Sequence, residues 1–311
     1  MASHQFMIPQ WYTTHCQTPI TSNSLERRYV TTQRDVFFRT LGEAYKDGRD
    51  DLVIISVDMG AAALNEFKGS PFLLNIGPSE QLAVTMAAGL ALKGKRPYVY
   101  GLSPFITLRA LEQIRVSVCS MNLPVTIVGI GAGLSYGEAG VTHHGTEDLN
   151  IMRCLPNMTI INVSTLDMAE YYAKETFQYP EARYIRLDKF SHSIHIKTGH
   201  HTGNIFHRDN WNKRTVVSTG TLVHYLMEHL PTDIDLIEVN KFPTNKEELI
   251  ISLDLDGKEI ISVEEGYLIG GLGDYLSSFL PNVKKIGFHN FCKTKPREEY
   301  WQLLLNEVLN A

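Results

Sequence analysis

The chain has 311 residues, 43% of them hydrophobic and 20% charged, with a formal net charge of -5. This is an ordinary globular mixture, long enough for two domains of roughly 100–200 residues that each bury a core without covalent staples. It excludes the basic footprint of a nucleic-acid binder, and no apolar run approaches the roughly 18 residues that a membrane span requires.

Residues 1–28 are polar, carry Pro9 and Pro19, and contain no apolar stretch of signal-peptide length, so they read as an arm without periodicity. Val36, Phe37, Leu41, Ala44 and Tyr45 then share one helix face ending near Gly48, ahead of the apolar run Leu52–Val57, which has the length of a buried strand. Helix-like Glu80–Lys93 leads into strand-like Pro97–Leu102, and helix-like Ile106–Met121 into strand-like Val125–Ile130. Strands at Thr159–Val163 and Tyr184–Leu187 flank a helix over Leu166–Phe177. Near-continuous apolar strands alternating with helices predict a parallel sheet covered on both faces.

Ser191–Arg214 breaks the rhythm with five histidines and little apolar content, as an interdomain connection with room for a short hairpin would. A second alternating unit follows, with strands at Val216–Ser218, Leu236–Val239, Ile260–Val263 and Val283–Gly287. Its helices fall at Leu222–His229, Glu247–Leu253, Gly271–Leu280 and Arg297–Leu309. The expected architecture is therefore α/β, two doubly wound domains at 29–190 and 214–311, joined by a linker at 191–213 and preceded by an arm at 1–28.

Cys16, Cys119, Cys154 and Cys292 are widely separated and form no C-x-x-C pair, which argues against a disulfide framework or a cysteine zinc site and fits a reducing, cytoplasmic setting. His192, His195, His200, His201 and His207 lack a carboxylate or cysteine at regular ligand spacing, so no metal site is expected there. Gly129-Ile130-Gly131-Ala132-Gly133 follows a strand but fails the dinucleotide fingerprint: the third glycine comes one position early, and a loop rather than a helix follows. That loop, Ser135–Asp148, lies past the C-terminal end of a parallel strand, where open α/β sheets place ligands; its residues taken alone suit a solvated surface loop equally well.

Three segments together resemble the transketolase and deoxyxylulose-phosphate synthase family. Gly77-Pro78-Ser79-Glu80-Gln81-Leu82-Ala83-Val84, running on through Ala87-Ala88-Gly89-Leu90-Ala91, is similar to the family's pyrimidine-domain helix, with a glutamate in its first turn. The loop Gly137-Glu138-Ala139-Gly140-Val141-Thr142-His143-His144 resembles G-E-D-G-P-T-H-Q, and Glu147–Arg153 continues the likeness. Ile261-Ser262-Val263-Glu264-Glu265 with Gly270-Gly271-Leu272-Gly273 is similar to the C-terminal domain. The likeness covers roughly residues 30–311, that is, a thiamine-diphosphate pyrimidine-binding fold followed by a transketolase C-terminal domain.

The resemblance implies a role for each matching residue. Glu80 would hydrogen-bond a ring nitrogen of the aminopyrimidine of thiamine diphosphate, favouring the imino tautomer that deprotonates the thiazolium C2; the cofactor then serves as the electron sink for carbon–carbon cleavage. A buried carboxyl able to share a proton is expected there, although an ordinary first-turn glutamate has the same appearance. Phe105, in Ser103-Pro104-Phe105, matches the aromatic packed on the pyrimidine, or is plain core. His143 matches the loop histidine facing the substrate's oxygens, with His144 a neighbour. Asp58 resembles an acidic residue near the cofactor, or caps a turn. Lys189 falls where the family carries a phosphate-binding arginine, though an exposed lysine ending a strand reads the same way. Ala139 and Val141 stand where the family has aspartate and proline, and lysine lacks arginine's bidentate grip, so the substrate need not be a common pentose phosphate.

Family members hold the diphosphate and Mg²⁺ with a G-D-G motif that this sequence does not contain. The resemblance thus implies an N-terminal transketolase-like partner subunit supplying G-D-G and the Mg²⁺ ligands, and a heterotetramer that transfers a two-carbon ketol unit from a ketose-type donor to an aldehyde. The β subunit of a 2-ketoacid dehydrogenase or acyloin-forming enzyme, and a non-catalytic structural subunit, stay open as alternatives.

Overall fold

Thr32 begins the first helix, α1 (Gln33–Lys46): its hydroxyl accepts the Asp35 N–H, and Asp35 complements the helix dipole. Phe37, Phe38 and Leu41 on its inner face are fully buried. The computed structural model describes residues 31–189, 204–208, 212–253 and 258–311. The expected arm, and within the expected linker residues 191–203 and 209–211 together with the five histidine side chains, lie outside the described residues.

The first sheet has seven strands. In chain order they are β1 (Leu52–Ser56), β2 (Leu73–Asn75), β3 (Arg96–Leu102), β4 (Thr126–Ile130), β5 (Thr159–Asn162), β6 (Arg183–Leu187) and a later arrival, β10 (Lys241–Phe242). The spatial order is β10-β5-β6-β4-β3-β1-β2, parallel except for β10. β1, β4 and β6 are buried at every position, as a sheet covered on both faces requires. The covering helices are α2 (Glu80–Leu92), α3 (Ser103–Leu108), α4 (Leu111–Gln113), α5 (Asp148–Met152) and α6 (Leu166–Gln178). The single helix expected over Ile106–Met121 is broken: Ala110 leaves helical geometry between α3 and α4, and Ile114–Cys119 form a π turn.

The second sheet has the order β12-β11-β8-β9-β7. Its strands are β7 (Asn204–Arg208), β8 (Arg214–Ser218), β9 (Ile234–Val239), β11 (Glu259–Tyr267) and β12 (Val283–Phe288), flanked by α7 (Leu222–His229), α8 (Lys246–Leu253), α9 (Leu272–Ser277) and α10 (Arg297–Leu309). β7, inside the stretch read as a connection, is an antiparallel edge strand on β9. β10 crosses to the first sheet, where Lys241 and Phe242 pair with Ile161 and Ile160. One apolar cluster contains Val53, Ile55 and Ile127 together with Val217, Ile237 and Leu276, so the two sheets share a core; Thr31–Ala311 form one compact unit.

In the order β6-β4-β3-β1, four parallel strands end side by side. The segments that follow them carry Lys189, the loop 131–147, Ser103–Arg109 and Asp58, respectively. Parallel pairing places these chain-distant residues along one edge.

Candidate functional site

Glu80 is the first residue of α2 and is only 4% exposed. Arg109 Nη1 donates to its Oε1 at 2.8 Å. Among the described residues, its second oxygen has no hydrogen-bond partner. Arg109 is the C-cap of α3, half-exposed, and its guanidinium carbon lies 4.1 Å from the centroid of Phe105. The other side of the cluster continues through His143, whose ring centroid is 5.3 Å from that of Phe105 in an edge-on arrangement. Tyr136 lies 6.5 Å beyond His143, and Lys189 Nζ stands 5.0 Å over the Tyr136 ring. Glu80, Phe105, His143 and Lys189, four of the five expected residues, thus form one continuous chain of contacts.

Arg109 and Tyr136 complete that chain, and the sequence reading assigned neither. Phe105 and Arg109 are spaced i, i+4, which on a helix means the same face one turn on; that spacing was the available signal. Tyr136 lies within the loop that was singled out.

Asp58 stands apart. It follows β1, is exposed, and adopts a left-handed φ of 58° that Asp tolerates better than most residues. Its backbone N–H donates to Asn75 Oδ1, which also accepts from Gly77, three residues before Glu80. Asp58 lines a separate cavity of about 300 Å³ with Ser56, Asn65, Lys68 and Asn75.

The loop carrying His143 is held from below. His144 is buried and its Nε2 lies 3.0 Å from Gly137 O, so it shapes the loop. Gly133 and Gly145 pair through both backbone bonds. Gly133 has φ +55°, and a Cβ there would overlap the Glu265 carboxylate. This explains the glycine-rich stretch as close packing. Arg186 donates to Gly145 O at 2.6 Å and to Asp148 Oδ2 at 2.8 Å. Tyr184 donates to the same Asp148 oxygen at 2.6 Å. Burial, and then the adjacent Asp148 carboxylate, push the Tyr184 hydroxyl well above its usual range.

A second set of buried charges closes the edge. Arg297 of α10 ion-pairs with Asp188 and with Glu265 of β11. Asp188 also accepts from Ser135 Oγ at 2.7 Å and from Thr221 Oγ1. Beside them Leu134, Tyr136, Ala139, Lys189 and Glu298 border a cavity of about 460 Å³. Glu264 caps the start of α9 by accepting from the N–H groups of Leu272 and Gly273. Burial raises it to about 7 against the lowering influence of those bonds and of Arg153.

The pattern of the family described as transketolase, pyrimidine binding domain, matches residues 7–190, more than half of the chain. The chain belongs to the transketolase family. It is 30% identical over 247 residues to the B subunit of apulose-4-phosphate transketolase from Actinobacillus succinogenes, covering 76% of this chain and 79% of that protein. It is 32% identical over 219 residues to 1-deoxy-D-xylulose-5-phosphate synthase of Clostridium perfringens strain SM101, covering 67% of this chain but only 35% of the synthase. The chain thus spans about a third of that synthase. A solved structure titled split gene transketolase, inactive beta4 tetramer, superposes with a TM-score of 0.72 at 26% identity over 90% of this chain and 97% of its own. Transketolase from Campylobacter jejuni also has a TM-score of 0.72, at 14% identity and over 47% of its length, a likeness of fold alone. No helix among the described residues is long and apolar enough to cross a membrane.

Proposed function

We propose that this chain is the pyrimidine-side subunit of a two-component, thiamine-diphosphate-dependent transketolase-like enzyme that moves a two-carbon ketol unit from a ketose-type donor to an aldehyde. The observation that carries this reading is Glu80: a carboxyl group only 4% exposed in the first turn of α2, at a sheet edge that also presents Phe105 and His143.

The residues present fit an aminopyrimidine. Glu80 would hydrogen-bond a ring nitrogen, Phe105 offers a flat apolar face, and the half-buried His143 would face the substrate's hydroxyl and carbonyl oxygens. Bound thiamine diphosphate supplies the electron sink for carbon–carbon bond cleavage. Lys189 contributes a positive charge beside the 460 Å³ cavity, suited to a phosphate on the substrate. Asp58, in its own cavity, is assigned a supporting place near the cofactor.

The diphosphate and Mg²⁺ are assigned to a partner subunit that carries G-D-G, within a heterotetramer in the cytoplasm. The apulose-4-phosphate transketolase relative, itself one subunit by name, and the split-gene tetramer are each matched over most of their length and support this division. So does α2, the helix that Glu80 opens, whose outer face leaves Leu82 54% and Leu92 61% exposed, the composition of a helix face awaiting a second surface.

The test is reconstitution. This chain alone should turn over no ketose; adding a G-D-G partner with Mg²⁺ and thiamine diphosphate should produce ketol transfer to aldehydes. Decarboxylation of 2-ketoacids without ketose cleavage would move the assignment to the 2-ketoacid dehydrogenase class. No thiamine-dependent turnover with any such partner would leave a structural subunit.

A further inference from the structure

We propose that Arg109 is a placeholder: its guanidinium occupies the two contacts that an aminopyrimidine would make, and it must swing away before the ring can enter. This rests on the function proposed above and concerns how the same site is kept closed.

The two contacts are a hydrogen bond to the Glu80 carboxylate, 2.8 Å, and a position over the Phe105 ring, 4.1 Å from guanidinium carbon to ring centroid. A guanidinium is planar, delocalised and bears its donors at its rim, so one side chain satisfies a carboxylate and an aromatic face at once. An aminopyrimidine has a comparable layout, a flat face and a polar edge, with the difference that its ring nitrogen accepts a hydrogen bond where the guanidinium donates one. The two cannot share the Phe105 face.

Three features make Arg109 the part that moves. Its side chain is half-exposed, whereas Glu80 is 4% exposed and sits in the first turn of a helix packed on the sheet. Arg109 is the cap of a helix of six residues, with Ala110 beyond it outside helical geometry, so its side chain can turn to solvent without disturbing a regular element. It also supplies the counter-charge that a buried carboxylate needs. Removing one without the other therefore has opposite consequences: without Glu80 the seat has no anchor, and without Arg109 the seat is open.

A site that is open only a fraction of the time shows an apparent Kd raised by the inverse of that fraction. If Arg109 is in place 90–99% of the time, its removal tightens binding about 10- to 100-fold.

The experiment is titration of the full-length chain, without partner, with thiamine diphosphate and Mg²⁺, read by ligand-detected NMR so that millimolar affinities register. Arg109→Ala should bind about 10- to 100-fold more tightly than the unaltered chain. Arg109→Lys, which keeps the charge but loses the planar fork, should tighten binding to a lesser degree. Glu80→Ala should abolish the gain when combined with Arg109→Ala. Thermal melting confirms that each variant is folded, and Arg109→Gln replaces Arg109→Ala should the latter unfold. Equal or weaker binding by Arg109→Ala overturns the placeholder, as does an Arg109→Lys variant indistinguishable from the unaltered chain, which would make the effect one of charge alone. If binding by the unaltered chain depends on Glu80 yet Arg109→Ala brings no gain, only the placeholder fails. If no variant shows Glu80-dependent binding, the functional assignment fails with it.

Discussion

Arg297 and Asp188 are 109 residues apart in the chain and 2.7 Å apart in space, both almost fully buried. Arg297 belongs to the last helix and Asp188 immediately precedes Lys189, so the end of the chain fixes the strand end that carries a candidate substrate cation. The same guanidinium holds Glu265 through Nε at 2.7 Å, and the same Asp188 carboxylate holds Ser135 at the start of the loop bearing His143.

Replacing Arg297 with Met leaves two carboxylates buried without their cation. Loss of one partner from a buried pair costs about 3–5 kcal/mol. The urea midpoint of Arg297→Met should fall accordingly, and His143 and Lys189 should lose their fixed spacing. A midpoint unchanged within error would show that water reaches and solvates this cluster.

Glu80→Ala should lower kcat of the reconstituted enzyme by about 10²- to 10⁴-fold, the usual weight of a proton-handling group. Its thermal midpoint should change little, since the Arg109 released is half-exposed and readily solvated. Steady-state kinetics and melting on the same preparation separate the two effects; a large drop in both would make Glu80 structural.

Glu264 should give stability a pH dependence. Its folded-state value, about 7, lies above the ordinary 4.5, because burial disfavours the charged form more than the α9 N–H groups and Arg153 favour it, with Asp274 adding to the upward push. The protonated form is thus the one that folding prefers. Its contribution is fully present below pH 4.5 and is lost as pH rises through about 7. Urea midpoints between pH 5 and 8 should decline with pH, and Glu264→Gln should flatten this part of the decline while losing one capping bond. An identical slope in the variant would assign the dependence to other groups.

Lys189→Ala should raise KM for a phosphorylated aldehyde by roughly 10- to 100-fold, the equivalent of one charge-assisted hydrogen bond. KM for the unphosphorylated analogue should stay within a factor of about 2, well inside what loss of a surface lysine contributes. Lys189→Arg should restore or improve binding, since the fork grips phosphate bidentately. Equal KM shifts for both aldehydes would place Lys189 outside the phosphate site.

The elements that were legible in the sequence are those whose burial pattern is set along the chain. β1, β4 and β6 are apolar runs buried at every position, and α7 and α10 fall at Leu222–His229 and Arg297–Leu309 as their apolar spacing predicts. β2 and β10 were missed: with three and two residues they carry too little pattern to register, and they exist through pairing with β1 and β5. β7 was hidden because an antiparallel edge strand does not need an apolar face on both sides. The break in the helix expected over Ile106–Met121 was illegible because its apolar residues continue at helical spacing while Ala110 departs from helical geometry.

By itself the sequence determined the class of chain: alternating α/β periodicity is a local property, and the motifs around Glu80 and His143 rest on residue type and spacing alone. Only the tertiary structure decided which residues share a site. Parallel pairing set the ends of β6, β4, β3, β1 and β2 side by side and so brought Lys189, His143, Phe105 and Glu80 into one contact chain, leaving Asp58 in a separate cavity. Arg109, Tyr136 and Arg297 acquired meaning in the same way. A long charged or aromatic side chain looks alike in sequence whether it faces water or a carboxylate, and the partner that distinguishes the two is delivered by folding.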